Sequence, residues 1–353
     1  MPNASFIDLS RRFAVPLLAL LLGGCSTLDY YAHLGQGQWH LLQARQPVER
    51  LLSDPATDPD LVRRLSLSQQ ARDFASARLH LPDNRSYRLY ADLGRPFVVW
   101  NVFATEEFSL EPELHCFPIA GCVAYRGYYQ QGRARGAAAL LREQGLDTYI
   151  GGVEAYSTLG WFDDPLLNTM LRWSDERFIA VIFHELAHQQ YYLPGDTAFN
   201  ESFATFVERE GLRQWHAARG ETPPASDDRQ RQQFIELVLA SRERLQQLYA
   251  SNLPAAAMRT AKQAEFELLR RDYRALRQRE WGGQGRYDAW VESPLNNAKL
   301  LPFGLYDQWV QAFARLFERE GRDWPAFYAA VATLGRLPEA NRRAELESLL
   351  QKD

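Results

Sequence analysis

Residues 183–189 read Phe-His-Glu-Leu-Ala-His-Gln, with His184 and His188 four apart and Glu185 directly after the first. No other stretch restricts this chain as strongly. In a helix, residues four apart share a face and lie about 6 Å apart along the axis, so both imidazoles can address one ion. Glu185 is rotated about 100° from His184, near enough to act on water polarised by that ion without ligating it. The preceding run Phe178-Ile179-Ala180-Val181-Ile182-Phe183 is apolar, as are Leu186 and Ala187 inside the motif. A helix so apolar is buried, and two imidazoles and a carboxylate in a buried helix are costly unless something pairs with them. A metal ion would satisfy the two imidazoles and give the carboxylate a water to act on; the alternative is a polar helix face that carries the pattern by chance.

After His188 the chain reaches Tyr191-Tyr192-Leu193-Pro194-Gly195-Asp196. Pro-Gly breaks the helix, and Asp196 or Thr197 can cap a new one. In that second helix Phe199, Phe203 and Phe206 recur at helical spacing, with Glu201 early and beside the apolar stripe. Two helices joined by a tight turn fold back on each other, which carries Glu201 toward the histidine pair. Two histidines and one glutamate, with a position left for water, form a catalytic zinc set. The alternative for Glu201 is an ordinary first-turn glutamate favoured by the helix dipole. Thr205 and Glu208, one and two turns further along the same face, are candidates to steady the histidines.

Asn200-Glu201-Ser202-Phe203-Ala204 resembles the Asn-Glu-x-Phe-Ala motif of the aminopeptidase N family of zinc metallopeptidases, the gluzincins. The resemblance implies that Glu201 is the third zinc ligand and Glu185 the general base. The stretch from His184 to Glu208, with Cys116-x5-Cys122 and Tyr156-Ser-Thr-Leu-Gly-Trp161 ahead of it, is similar to a family of bacterial lipoproteins predicted to be aminopeptidases, over nearly all of residues 25–353. Only 12 residues separate His188 from Glu201, fewer than in aminopeptidase N relatives, so the metal site transfers further than the substrate class.

The N-terminus carries Arg11 and Arg12, an apolar run over residues 13–22, and Gly23-Gly24-Cys25. This reads as a secretory signal over residues 1–24, with Cys25 as the lipid-bearing first residue of the mature chain. The apolar run is too short to span a bilayer. Ser26, a residue other than Asp, points to the outer membrane, with the body facing the periplasm. Of three cysteines, Cys116 and Cys122 remain. In an oxidising compartment, with Pro118 and Gly121 between them, they are candidates for a small disulfide loop. The net charge is −4 and no basic stripe or nucleic-acid motif occurs, so nucleic acid is not an expected partner.

Periodicity predicts helices over about 35–80, 131–145 and nearly everything after 170, including long Arg/Glu/Gln/Leu-rich stretches at 226–281 whose charged faces read as solvated. Strands are predicted at 87–91, 97–103 and 147–157. The fold class expected is α+β: a mainly helical, zincin-like metallopeptidase body with a small antiparallel sheet toward the N-terminal side. Residues 25–353 are expected to form one metallopeptidase domain, divisible into a sheet-bearing lobe, 25–160, and a helical lobe, 161–353.

In zinc peptidases an exposed strand beside the metal helix pairs with extended substrate through main-chain hydrogen bonds. Residues 150–157 are the candidate, with Gly152, Glu154 and Tyr156 as substrate contacts. Gly151-Gly152-Val153-Glu154-Ala155 partly resembles the aminopeptidase N segment whose glutamate grips the substrate's α-amino group, although Val153 and Ala155 depart from it. The plain alternative is an exposed strand glutamate. An oxyanion donor is also needed. Tyr306, after the helix-interrupting Leu295-Asn296-Asn297-Ala298-Lys299, is the first candidate, with Tyr156 and Tyr192 behind it. Together these residues predict a zinc-dependent peptidase, and with the resemblance an aminopeptidase that cleaves N-terminal residues from peptides, with one zinc ion held by His184, His188 and Glu201 and a lipid anchor in a membrane. The rivals are a periplasmic endopeptidase and a non-catalytic scaffold or chaperone-like lipoprotein. An intact Glu185 argues against the scaffold, since a structural metal has no use for that base.

Overall fold

A computed structural model describes residues 27–117, 121–155, 157–221, 225–304 and 308–351. The chain forms two compact units, Met1–Arg45 and Gln46–Asp353. The first contains helix α1 (residues 27–43). After β1 (Arg45–Pro47) come α2 (Val48–Ser53), α3 (Pro59–Leu79), β2 (Leu89–Ala91), β3 (Val99–Thr105), β4 (His115–Phe117), β5 (Gly121–Val123), β6 (Arg126–Tyr128), α4 (Gln131–Glu143), β7 (Asp147–Val153) and β8 (Leu166–Leu167). Helices then dominate: α5 (Asp175–Gln190), α6 (Thr197–Arg219), α7 (Ala225–Tyr249), α8 (Ala255–Glu280), α9 (Asp288–Glu292), α10 (Asn297–Leu300), α11 (Val310–Arg319), α12 (Trp324–Gly335) and α13 (Glu339–Gln351). The architecture is α+β, mainly helical, with small sheets.

Among the described residues the strands form three separate sheets. β3 sits between β6 and β7, antiparallel to both. Val99 pairs with Val153 and Thr105 with Asp147, so β7 is an outer strand. The β4–β5 hairpin pairs Cys116 with Cys122, and these two are joined by a disulfide. β2 pairs in parallel with β8. The strand expected over 87–91 is shorter at its start because Tyr87 adopts a left-handed φ of 64°, where its N–H donates to Asp164 O at 2.6 Å. The strand expected over 97–103 lies two residues later, and β2 and β3 belong to different sheets.

The helical core is aromatic. Phe199, Phe203 and Phe206 of α6 meet Phe313 and Phe317 of α11 and Phe327 of α12, with Phe199–Phe313 and Phe206–Phe327 centroids both 5.1 Å apart. The apolar stripe read from the sequence is therefore the face that packs, and each buried ring stabilises by about 2–3 kcal/mol. On the opposite side of the hairpin, Phe183 and Trp215 close on Phe74 of α3, at 6.1 and 5.3 Å. Gly211 permits this close approach: a Cβ there would lie 2.7 Å from Leu79 Cδ1 and 3.0 Å from Phe183 Cδ2.

Candidate metal centre

Helix α5 starts at Ser174, whose hydroxyl accepts from Arg177 N at 3.3 Å, with Asp175 and Glu176 favourably placed in its first turn. Arg63 holds Asp175 at 2.7 Å, and Arg64 bonds the same carboxylate, which fixes that end. The helix ends at Tyr191 as the chain turns through Pro194 and Gly195, the latter at φ 87°. Asn200 locks the turn: its Oδ1 accepts from Leu193 N and its Nδ2 donates to Leu193 O, both at 2.8 Å. The asparagine that precedes Glu201 is thus a brace for the connection. Asp196 caps α6 through Phe199 N at 3.0 Å, and its other carboxylate oxygen is gripped by Arg342 of α13 at 2.8 Å. The disulfide hairpin also bears on this turn, since a Cβ at Gly121 would lie 2.6 Å from Gly195 N.

These constraints bring His184, His188 and Glu201 together, with one ligand atom from each within 4.8 Å of the others. His184 Nε2 is 3.4 Å from Glu201 Oε2, and His188 Nε2 is 3.8 Å from Glu201 Oε1. A tetrahedral zinc with bonds near ~2.0–2.1 Å sets its ligand atoms about 3.3–3.5 Å apart, close to the two histidine–glutamate separations here. His184 Nδ1 is bonded to Glu208 Oε2 at 3.0 Å, which leaves Nε2 to face the site. Of the two supporting residues expected on α6, Glu208 makes this bond and Thr205 is buried.

The electrostatics are those of a cation site with a proton standing in for the ion. Burial alone lowers the pKa of His184, but hydrogen bonds to Glu201 and Glu208 overcome it and raise it well above 6.5. Burial raises Glu201 and Glu208, and their imidazole neighbours pull both below the usual carboxylate range. Burial brings His188 down to about 4, so it is neutral and free to ligate. Its Nδ1 is buried and, among the described residues, has no hydrogen-bond partner. Glu185 behaves oppositely: burial, then repulsion from Glu201, Asp164 and Glu208, outweighs attraction to His184 and pushes it up to about 7. A carboxyl group poised there can accept and return a proton near neutrality.

Tyr125, between β5 and β6, was not among the sequence candidates. Burial raises its pKa, and the nearby Glu201, Tyr192 and Glu185 raise it further, so the phenol is within electrostatic reach of the centre. Its ring packs on Phe103 with centroids 5.5 Å apart. The ring of Tyr192 lies 6.3 Å from that of His188. Nothing local marks Tyr125. The nearest signal in the sequence is its place three residues beyond the cysteine loop.

Glu154 follows β7 directly and is already engaged. Its Oε2 accepts from Trp173 Nε1 at 2.6 Å and Arg177 Nη2 at 3.2 Å, and Oε1 lies 3.5 Å from Arg172 Nη2. Gly152 lies under Phe97, whose ring atoms are 2.6 Å from where a Cβ would sit. Tyr156, Tyr306 and Cys25 lie outside the described residues. Beyond His188, Gln189 donates to Ser86 Oγ at 3.2 Å and accepts from Asn84 Nδ2 at 2.8 Å, tying the end of α5 to the loop after α3. Asp164 braces the neighbouring loop through Thr158 N at 2.9 Å and Thr158 Oγ1 at 2.7 Å.

A protein-family model described as "Putative aminopeptidase" matches residues 29–346. No curated protein and no solved structure matches the chain.

Proposed function

The chain belongs to that aminopeptidase family, and on this premise we propose a zinc-dependent peptidase that removes N-terminal residues. The observation that carries the reading is the convergence of His184, His188 and Glu201 beside a Glu185 held near neutrality. The donor set, two imidazoles and one carboxylate, is that of catalytic zinc. Zinc held by His184, His188 and Glu201 would supply Lewis acidity and lower the pKa of water toward ~7.

The chain's own residues divide the remaining work. Glu185 takes the proton from the attacking water and delivers it to the leaving amine. The Tyr125 phenol donates to the scissile carbonyl oxygen as charge develops on it. Glu208 fixes the tautomer of His184 and keeps its Nε2 directed into the site. The outer strand β7 offers its main chain to an extended peptide. Residues 1–24 are proposed as a secretory signal and Cys25 as the lipid attachment point, which would hold the enzyme at the outer membrane facing the periplasm. Loss of membrane fractionation in a Cys25→Ser variant tests that placement.

A second reading, an endopeptidase, draws on Glu154. Two arginines and an indole already satisfy this carboxylate, so a substrate ammonium would have to compete with them. Hydrolysis of free and N-acetylated versions of one peptide separates the two readings: N-terminal cleavage predicts loss of turnover on acetylation. For the peptidase reading itself, Glu185→Gln should bind zinc as the wild type does and lose about 10²–10⁴ in turnover. Normal turnover in that variant sinks the mechanism.

A further inference from the structure

Residues 30–44 contain no Lys, Arg, Asp or Glu, in a chain that is 24% charged. A solvated helix face of that length ordinarily carries several charges. The segment makes up most of α1, and α1 displays its apolar side chains: Leu28 is 72% exposed, Tyr31 42% and Trp39 59%. At about 100° per residue these three, with the exposed Ala32 and Gly35, fall within an arc of about 100°. Gln36, Gln38 and Gln43 border that arc without adding charge. Asp29, the helix's one charged residue, is turned about 100° from Leu28, off the stripe. Tyr31 meets Tyr30 edge to face, with centroids 5.6 Å apart, and stays exposed. A Cβ at Gly35 would meet no atom within 4 Å, so the middle of the stripe is open too. Single exposed apolar side chains are ordinary, whereas an uncharged stripe along one helix face marks a docking surface.

We propose that this face of α1 lies in the interfacial layer of a lipid bilayer. Cys25, the proposed lipid attachment point, precedes the first residue of α1 by two positions, so attached acyl chains bring the start of the helix to the membrane. Trp and Tyr pair an apolar ring with a polar tip, the chemistry that settles at the headgroup level. No helix among the described residues is long and apolar enough to cross a membrane, so α1 lies along the surface. From Leu28 to Trp39 the stripe runs about 16 Å along the axis. Acyl chains hold the protein at a point, and the stripe extends that hold into a line, which restricts swivelling about Cys25. With no basic residue beside it, the stripe is held by apolar area and not by anionic headgroups. The inference rests on the lipid-anchor reading for its occupant, but it is tested without the lipid.

The experiment uses the processed chain, residues 25–353, carrying Cys25→Ser so that no acyl group is attached. It is sedimented with vesicles of phosphatidylcholine, alone and mixed with phosphatidylglycerol. Both vesicle types should bind it equally, within about twofold, at low and high salt. Trp39→Gln should weaken binding about tenfold or more. Gly35→Leu, which fills the open middle of the stripe, should strengthen it by about tenfold. Trp161→Gln removes a tryptophan 68% exposed outside α1 and should change binding less than about twofold. An unchanged Tm in each variant separates lost contact from lost folding. Absence of vesicle binding, binding that requires phosphatidylglycerol or disappears in salt, or binding unchanged by Trp39→Gln overturns the proposal. Dimerisation without vesicles that Trp39→Gln abolishes also overturns it, and assigns the stripe to a second copy of the chain. An interfacial helix alone holds reversibly, so release of Cys25→Ser from washed cell membranes still reports on the lipid anchor by itself.

Discussion

Glu208 offers the sharpest test of how the centre is held. Its Oε2 lies 3.0 Å from His184 Nδ1, with side chains only 19% and 12% exposed, so solvent screens the bond poorly. A hydrogen bond to a charged group contributes about 1.5–3 kcal/mol and a neutral one about 1 kcal/mol. Glu208→Gln keeps an acceptor but removes the charge, a loss of about 1–2 kcal/mol, or about 5- to 30-fold in intrinsic zinc affinity. Glu208→Ala removes the acceptor as well and should cost about a hundredfold. A competing effect sets the pH dependence. Without metal, His184 is held protonated by Glu201 and Glu208, so zinc must displace that proton. Removing the Glu208 charge weakens the hold on the proton together with the hold on zinc. The two losses partly cancel below the raised pKa of His184, whereas above it only the zinc loss remains. The ratio of apparent zinc affinities, wild type over Glu208→Gln, should therefore grow as pH rises from 6 to 9. Competition against a chromophoric chelator across that range measures it. Affinities within about twofold at every pH, or a ratio that falls with pH, would refute the reasoning.

Tyr125→Phe should lower kcat by about 10²–10³ with little change in KM or zinc content, as for loss of one oxyanion donor; steady-state kinetics with metal analysis decides, and an unchanged kcat removes Tyr125 from the mechanism. Gly211→Ala would normally gain helix propensity, but its Cβ would meet Leu79 and Phe183 at 2.7 and 3.0 Å. Overpacking should win by about 1–3 kcal/mol, seen as a lower Tm and weaker zinc binding; a higher Tm would show that the α5–α6 contact is slack. In chelator, stability should fall as pH rises above about 6.5, because the folded-state pKa of His184 is raised and its contribution is lost through that raised value. Glu185, raised to about 7, acts in the same direction at lower pH. Lys299, lowered to about 8 by burial, acts oppositely but is common to both forms, so the Tm difference between zinc-loaded and chelated protein should widen with pH. A constant difference between pH 6 and 9 would contradict the protonated His184.

The parts of the centre that were legible in the sequence are the parts that helix geometry alone specifies. His184, His188, Glu185 and Glu208 follow from spacing on two faces, and Glu201 from a Pro-Gly turn that can only return the chain. The residues that were not legible are placed by distant segments. Tyr125 reaches the centre because the strands about it hold it there. Glu154 lies at the end of the expected strand, but its surroundings come from Arg172, Trp173 and Arg177, which no local pattern ties to it. β8 is two residues long, too short for any periodic signal, and pairs with β2 across some 75 residues of chain. The start of β2 was lost to a tertiary contact, the bond from Tyr87 N to Asp164 O.

The compact spacing from His184 to Glu208 bears on the order in which the molecule assembles. Everything proposed to hold the ion belongs to one helical hairpin, whereas β3 and β7 join residues more than 40 apart, such as Val102 and Ile150. Helices form within about a microsecond and nearby loops close quickly, while distant strand pairing waits on slower chain closure. Metal capture can therefore precede the sheet that presents substrate, with the ion acting as a clasp on a hairpin still seeking its partners. The two capacities should also be lost separately: in rising urea, peptide binding should fail before zinc is released.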